Sequence, residues 1–489
     1  MSQHARTVEQ RSSAMEHQQA SSGSLGAIST PAAHGLVGKV PFIVRAVAFC
    51  IFFFPSAMVF KPIGAAGTVP MILAVLIFAL WICSVLFGLH NPMKIRHPGR
   101  MTLAALFLAN CASYAALYAG ITGGSTQIAR ASADRWLILL LASAGIVLVI
   151  GEVIRTLSDA MILVRALLAG AFFCCLIAVV QFVFRINPME WFQYAMPGFT
   201  YNGGDTPFQS RGALLRVAGS TFHSIELAVV SAMLLPLSIW RLIYDRRGWI
   251  GYKLLGTMLL IFAIASTVSR SGVLGLVVGL VVFIPFLPPI PRIWALIASP
   301  IALAGLFLGV PGLISTLTET ITSSNTDPSI STRTNNYPRV EAMVTHRPIL
   351  GAGPGNYEAD TAIHILDNEY LNAAVTLGLV GLLAMAIYLL VPGVTSILAA
   401  RSSRTPQLKS FAGAVGAGGL VAGICSLTFD SMSFPVFALT YPVLIGLGGA
   451  AWNMAKLDIG AVDDASVELS RPVDSGNPGH NYKSPGGLT

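Results

Sequence analysis

Long apolar stretches alternate with short polar ones along most of the chain. Apolar runs lie near 41–60, 68–89, 101–120, 136–153, 160–184, 224–243, 252–268, 272–290, 293–314, 370–399, 410–429 and 435–455. A helix crossing a bilayer needs about 20 mostly apolar residues. The pattern therefore predicts an all-α, polytopic integral membrane protein with about twelve transmembrane helices. Two polar intervals, 185–223 and 315–369, are too long for tight turns. Residues 1–39, rich in Ser, Gln, Ala and Gly, lack the apolar core of a cleaved signal peptide. They read as a disordered tail, and so does the polar stretch 456–489. The span-bearing domain is then 40–455.

Composition agrees with this class. The 489 residues are 54% hydrophobic and 11% charged, where a soluble protein carries about a quarter charged. The net charge of +8 is spread over many short loops, which argues against a nucleic-acid surface. All six cysteines lie inside apolar runs and show neither disulfide nor metal spacing. No metal cluster and no cofactor site is read from the chain.

Charge distribution orients the spans, because cytoplasmic loops retain Lys and Arg. With the N-terminus inside, the inner loops hold Lys94, Arg96, Arg100, Arg155, Arg241, Arg246, Arg247, Lys253, Arg292, Arg401, Arg404 and Lys409. The short outer loops hold Lys61, Arg130, Arg270 and, at a span boundary, Arg135. Both termini are then cytoplasmic, and the two long loops face outward. In the first, Trp191, Phe192 and Tyr194 beside Glu190 suit an interfacial segment or an ordinary loop with aromatics.

Arginines on the retention-disfavoured side need a reason to be there. Arg216 stands in RVAGSTFHSIELA, Arg270 in SRSGVLG and Arg347 in HRPILGAGPGNY. A guanidinium presents donors in a fork that matches phosphate oxygens in pairs; anchoring to lipid head groups is the plainer role. Gly351 to Gly355, GAGPG, lacks the Lys-Ser/Thr of a phosphate-binding loop and reads as a turn. His223 and Glu226, at i and i+3, share a helix face at the start of a span and suit a polar cap as well as a site. Asp430, at the outer end of the eleventh span, reads the same way. His364, Asp367, Asn368, Glu369 and Tyr370 crowd the mouth of the tenth span. They suit a helix N-terminus, with Asp367 or Asn368 as cap; a carboxylate there also suits a general base.

In this order RVAGSTFHSIELA, SRSGVLG, HRPILGAGPGNY and DNEYLNAAVTLGLVGL, with the long outer loop before the last, resemble the O-antigen ligase and O-antigen polymerase superfamily over about residues 200 to 400. The resemblance implies a metal-independent, inverting glycosyltransferase of the bacterial cytoplasmic (inner) membrane, with its active site on the extracytoplasmic face. Such an enzyme moves a glycan from a polyprenyl pyrophosphate onto the hydroxyl of a glycan or lipid acceptor, as a polysaccharide polymerase or a ligase. It implies that Arg216 and Arg270 hold the pyrophosphate, with Arg347 in the matching loop motif. Where ligases of this family place a His before the Asn, this chain has Asp367, an arrangement more familiar among polymerase-like members. Asp367 is thus the expected base, with His364 as the alternative. His223, Glu226, Asn368, Glu369 and Tyr370 are expected to hold substrate. The competing class is a twelve-span transporter or flippase. It would need polar groups near the bilayer midplane, and Asn110 is the most obvious one.

Overall fold

The computed structural model describes residues 40–470 apart from 93–94, 122–125, 203–207, 212–213, 310–327 and 358–364. Each of the twelve apolar runs holds a helix: α1 Phe42–Phe53, α2 Val69–Leu86, α3 Pro98–Tyr118, α4 Gln127–Val153, α5 Leu157–Phe184, α7 Ser224–Tyr244, α8 Ile250–Ser266, α9 Arg270–Phe283, α10 Pro289–Gly309, α12 Glu369–Ser402, α13 Pro406–Cys425 and α14 Pro435–Ser470. The short α6, Phe192–Ala195, and α11, Pro328–His346, occupy the two long loops. Among the described residues, eight helices are long and apolar enough to cross a membrane, namely α2 to α5, α7, α12, α13 and the Pro435–Ile459 part of α14. The chain is an all-α polytopic membrane protein.

Several runs differ from the expected spans. The first, 41–60, does not form one helix. α1 ends at Phe53, which gives about 18 Å of helix at 1.5 Å per residue, and the chain then extends into strand β1, Met58–Phe60. β1 pairs antiparallel with β2, Phe199–Tyr201, in the register Met58↔Tyr201 and Phe60↔Phe199. This pairing ties the loop 185–223 to the foot of α1, and Ser56 N–H adds a bond to the Ser220 carbonyl at 2.9 Å. A second pair, β3 Phe208–Arg211 with β4 Leu214–Val217, sets Gln209 opposite Arg216. The expected tail from residue 456 begins as helix, because α14 continues to Ser470. In the aromatic segment, Phe192 packs on Phe53 and Phe54 while Trp191 and Tyr194 stay exposed, as an interfacial segment would.

Packing is closest around α13, whose glycines admit neighbouring backbones. A Cβ at Gly419 would lie 2.9 Å from Gly393 Cα in α12. Small residues at helix contacts are how apolar helices gain van der Waals contact when lipid offers no hydrophobic drive. One end of the helices carries an ionic knot. The buried Asp245 accepts from Arg165 Nε at 2.8 Å and Arg241 Nε at 3.3 Å, and its carbonyl accepts from Lys253 Nζ at 2.5 Å. The groups expected to be functional collect at the other end.

Candidate active site

The mouth of α12 is built by its cap. Asn368 is the N-cap, and its Oδ1 accepts from Tyr370 N–H at 2.9 Å and Leu371 N–H at 3.3 Å. Glu369 turns inward and is fully buried. Its N–H donates to the Ser426 carbonyl at 2.9 Å, and its Oε2 accepts from Met432 N–H at 2.8 Å. Tyr370 O–H donates to the Gly423 carbonyl of α13 at 2.8 Å. Asn368 thus caps α12, while Glu369 and Tyr370 hold it against α13 and the loop Ser426–Phe434 that follows. Asp367 is half-buried, close enough to Asp430 for its charge to act on that carboxyl. His364 lies outside the described residues.

Deeper along the same helix the backbone breaks. Gly378 has φ 70° and ψ −169°, a region that only glycine populates readily. A break inside an apolar helix leaves amides and carbonyls that must find partners. The Gly-rich turn provides them. Ala352 N–H donates to the Val375 carbonyl at 2.9 Å, Gly353 N–H to the Thr376 carbonyl at 2.9 Å, and Leu379 N–H to the Pro348 carbonyl at 2.8 Å. Ser113 of α3 donates to the Leu350 carbonyl at 2.7 Å. GAGPG is thus a turn, as its composition suggests, and it docks into a broken helix.

Arg216 on β4 donates from Nε to the Thr267 carbonyl at 2.8 Å. This brings it to the α8–α9 turn that carries Arg270. Val268 in that turn has φ 47°, a left-handed conformation strained for a β-branched residue. Strained backbone of this kind collects at functional sites. Arg270 is the first residue of α9. The next residue, Ser271, accepts at its Oγ from Thr428 O–H at 2.7 Å.

His223 caps α7, its Nδ1 accepting from Ile225 N–H at 3.1 Å. Burial first, and then the positive charge of Arg216, hold its pKa down to about 4. The ring is neutral near pH 7, and with Nδ1 accepting, its proton is on Nε2.

Glu226 departs from the role expected of it. It is fully buried, and its carboxylate accepts from three backbone amides: Phe222 at 2.8 Å, Val436 at 2.7 Å and Phe437 at 3.0 Å. A carboxylate so enclosed and so occupied joins the start of α14 to α7 and leaves no side for sugar. Glu226→Ala would orphan these donors, at about 1–3 kcal/mol each. The detergent-solubilised variant should melt well below wild type, and Glu226→Gln, which keeps one acceptor, should fall in between. An unchanged melting temperature would refute the anchoring role.

The structure thus gathers Arg216, Arg270 and His223 on one side and Asp367 to Tyr370 on another, with Ser426–Phe434 touching both groups. Arg347, at the end of α11, lines a separate groove with Met343, His346, Asn356 and Tyr357. Two groups outrank their reading from sequence. Asp430 has its pKa raised to about 6, by burial first and by the nearby Asp367 carboxylate, with Arg135 pulling it down. Arg135 donates from Nη2 to the Ser433 carbonyl at 3.2 Å. A polar residue at a helix end is ordinary in sequence; what sets these two apart is the folded loop between α13 and α14. Among the described residues, no group of three His, Cys, Asp or Glu side chains is placed to hold a metal ion.

Residues 255–386 match the family model for O-antigen ligase. The match supports the superfamily resemblance and an O-antigen-ligase-like role in polysaccharide assembly. It spans Arg270, Arg347 and the α12 mouth, while Arg216, His223 and Asp430 lie outside it. No curated protein matches the chain.

Proposed function

We propose that the protein is an inverting glycosyltransferase acting at the extracytoplasmic face of the cytoplasmic membrane. It would move a glycan from a polyprenyl pyrophosphate to an acceptor hydroxyl during cell-surface polysaccharide assembly. The observation that carries this reading is that Arg216 bonds to the turn bearing Arg270, and that this turn, through Ser271, and the α12 mouth, through Glu369, both bond to the loop Ser426–Phe434. In the reaction the acceptor oxygen bonds to the anomeric carbon of the donor glycan, on the face opposite the pyrophosphate. The bond from that carbon to the pyrophosphate oxygen breaks, and the pyrophosphate leaves with its carrier. Asp367 takes the hydroxyl proton as general base. Arg216 and Arg270 meet the negative charge growing on the leaving group, where fixed donors act most strongly. Neutral His223 offers Nε2–H to a sugar hydroxyl, and Arg347, in its separate groove, is given no part in the step. Apolar helix faces take the polyprenyl chain.

The base is tested by Asp367→Asn, which keeps size and loses basicity. Purified enzyme with lipid-linked glycan should lose about two to four orders of magnitude in kcat, the range for a positioned acid–base group. Donor affinity should hold. Turnover at the wild-type rate would remove Asp367 from the role.

A further inference from the structure

A cavity of about 280 Å³ opens beside the α12 mouth. Ser132, Arg135 and Trp136 of α4 form one wall, Tyr357 another, and Asn372 of α12 with Asp430 of the 426–434 loop close it. Its size is just below the ~300–1,000 Å³ range for drug-sized ligand pockets, and suits one or two sugar rings better than a long lipid tail. Its chemistry is also that of a sugar site. Carboxylate, amide and hydroxyl groups exchange hydrogen bonds with sugar hydroxyls, while an indole offers a flat apolar face to ring C–H groups. One carboxylate faces one guanidinium, a balance that does not favour a polyphosphate. Glycine at 355 lets the turn pack directly against the Trp136 indole, where a Cβ would strike the ring.

The position of the cavity gives it a role. Ile365 and Leu366, which line it, lead directly into Asp367. The loop Ser426–Phe434 is a partition. Thr428 turns to Ser271 beside Arg270, at the proposed pyrophosphate side, while Asp430, Met432 and Ser433 turn into the cavity. A sugar held there lies next to the base, and in-line attack requires its hydroxyl to pass the edge of this loop and reach the anomeric carbon on the face opposite the pyrophosphate.

We propose that this cavity is the acceptor subsite and holds the terminal sugar of the acceptor glycan, stacked on Trp136 and hydrogen-bonded by Asp430, Arg135 and Asn372. The proposal rests on the glycan-transfer reading above in its polymerase form, in which the acceptor is itself a glycan of the lipid-linked pool.

The test uses the full-length protein in lipid nanodiscs. The probe is glycan freed by mild acid from the cell's own lipid-linked pool, which carries neither pyrophosphate nor polyprenyl. Its binding is followed by saturation-transfer NMR. Wild type should bind it, and Trp136→Ala and Asp430→Asn should each weaken binding about tenfold, the equivalent of one stacking or charged hydrogen-bond contact. Arg270→Ala should bind the free glycan as wild type does. Turnover of lipid-linked glycan by Trp136→Ala should show a raised KM for acceptor with kcat largely kept. Should Trp136→Ala fail to fold, Ser132→Phe fills the cavity from its rim and should block binding. Wild-type affinity in both Asp430→Asn and Ser132→Phe would overturn the proposal, as would a wild-type protein that binds no free glycan. If turnover is normal while binding ignores these substitutions, only the acceptor subsite falls. If binding follows them but no lipid-linked glycan is ever transferred, the transfer reading falls instead.

Discussion

Arg270→Ala should lower glycan transfer by about two to three orders of magnitude, the usual cost of removing one preorganised donor from a developing negative charge, while leaving the fold intact. The second half of that expectation is as specific as the first. Arg270 is the first residue of α9, where the positive end of the helix dipole disfavours a cation. Its guanidinium therefore gains nothing from the helix dipole, and a melting temperature measured beside the activity separates loss of the clamp from loss of fold. Arg270→Lys keeps the charge and loses the fork that grips two phosphate oxygens, so its activity should fall between the two. Membranes carrying each variant at equal expression, assayed for glycan transfer from the native lipid-linked donor, decide the matter. Wild-type turnover in Arg270→Ala would remove the clamp from the mechanism.

Gly378→Ala should act in the opposite sense, on the fold before the chemistry. At φ 70° and ψ −169° a side chain costs about 1–3 kcal/mol in backbone strain alone. The added Cβ would also collide with the Ile349 carbonyl oxygen. That oxygen is backbone, fixed between the Pro348–Leu379 and Ala352–Val375 hydrogen bonds, so it cannot turn aside as a flexible side chain would. Together these effects should cost more than about 3 kcal/mol. The expected result is poor accumulation of the protein, a lower melting temperature in detergent and new proteolytic cleavage in 347–357 as the turn undocks. Gly64 provides the control. It has a similar φ of 65°, but a Cβ there would meet nothing within 4 Å. Gly64→Ala should cost only about 1–2 kcal/mol. Equal effects from the two substitutions would show that strain, and not docking of the turn, governs this region.

The helices were legible in the sequence because the bilayer demands apolar runs of a set length, and each of the twelve runs holds one. The break at Gly378 was not, because 370–399 reads as one apolar run and a helix broken in its interior keeps the same composition. What marks the break is the partner, the backbone of 348–353, and pairing between distant segments leaves no local pattern. The β1–β2 clamp was hidden for the same reason: three residues at the end of an apolar run look like more of that run. At the site, Arg216 and Arg270 were brought together by the order of motifs. Nothing in their spacing predicts that one would bond to the carbonyl of Thr267. The capping role of Asn368 could be read from its place before a helix. The enclosure of Glu226 could not, since its donors Val436 and Phe437 lie far away in sequence. Asp430 and Arg135 were undervalued because their partners come from a loop whose path only the fold reveals.

The central claim is that lipid-linked glycan is consumed at this site. It is tested most directly by the lipid-linked glycan pool of cells lacking the protein, with wild type or Arg270→Ala returned on a plasmid. The account expects that pool to swell, to return to normal with wild type and to stay swollen with Arg270→Ala. Single repeat units would mark a polymerase, and long lipid-linked chains a ligase. A pool unaltered by the deletion would contradict the account, and so would purified protein that carries labelled substrate across liposome membranes without transferring a sugar.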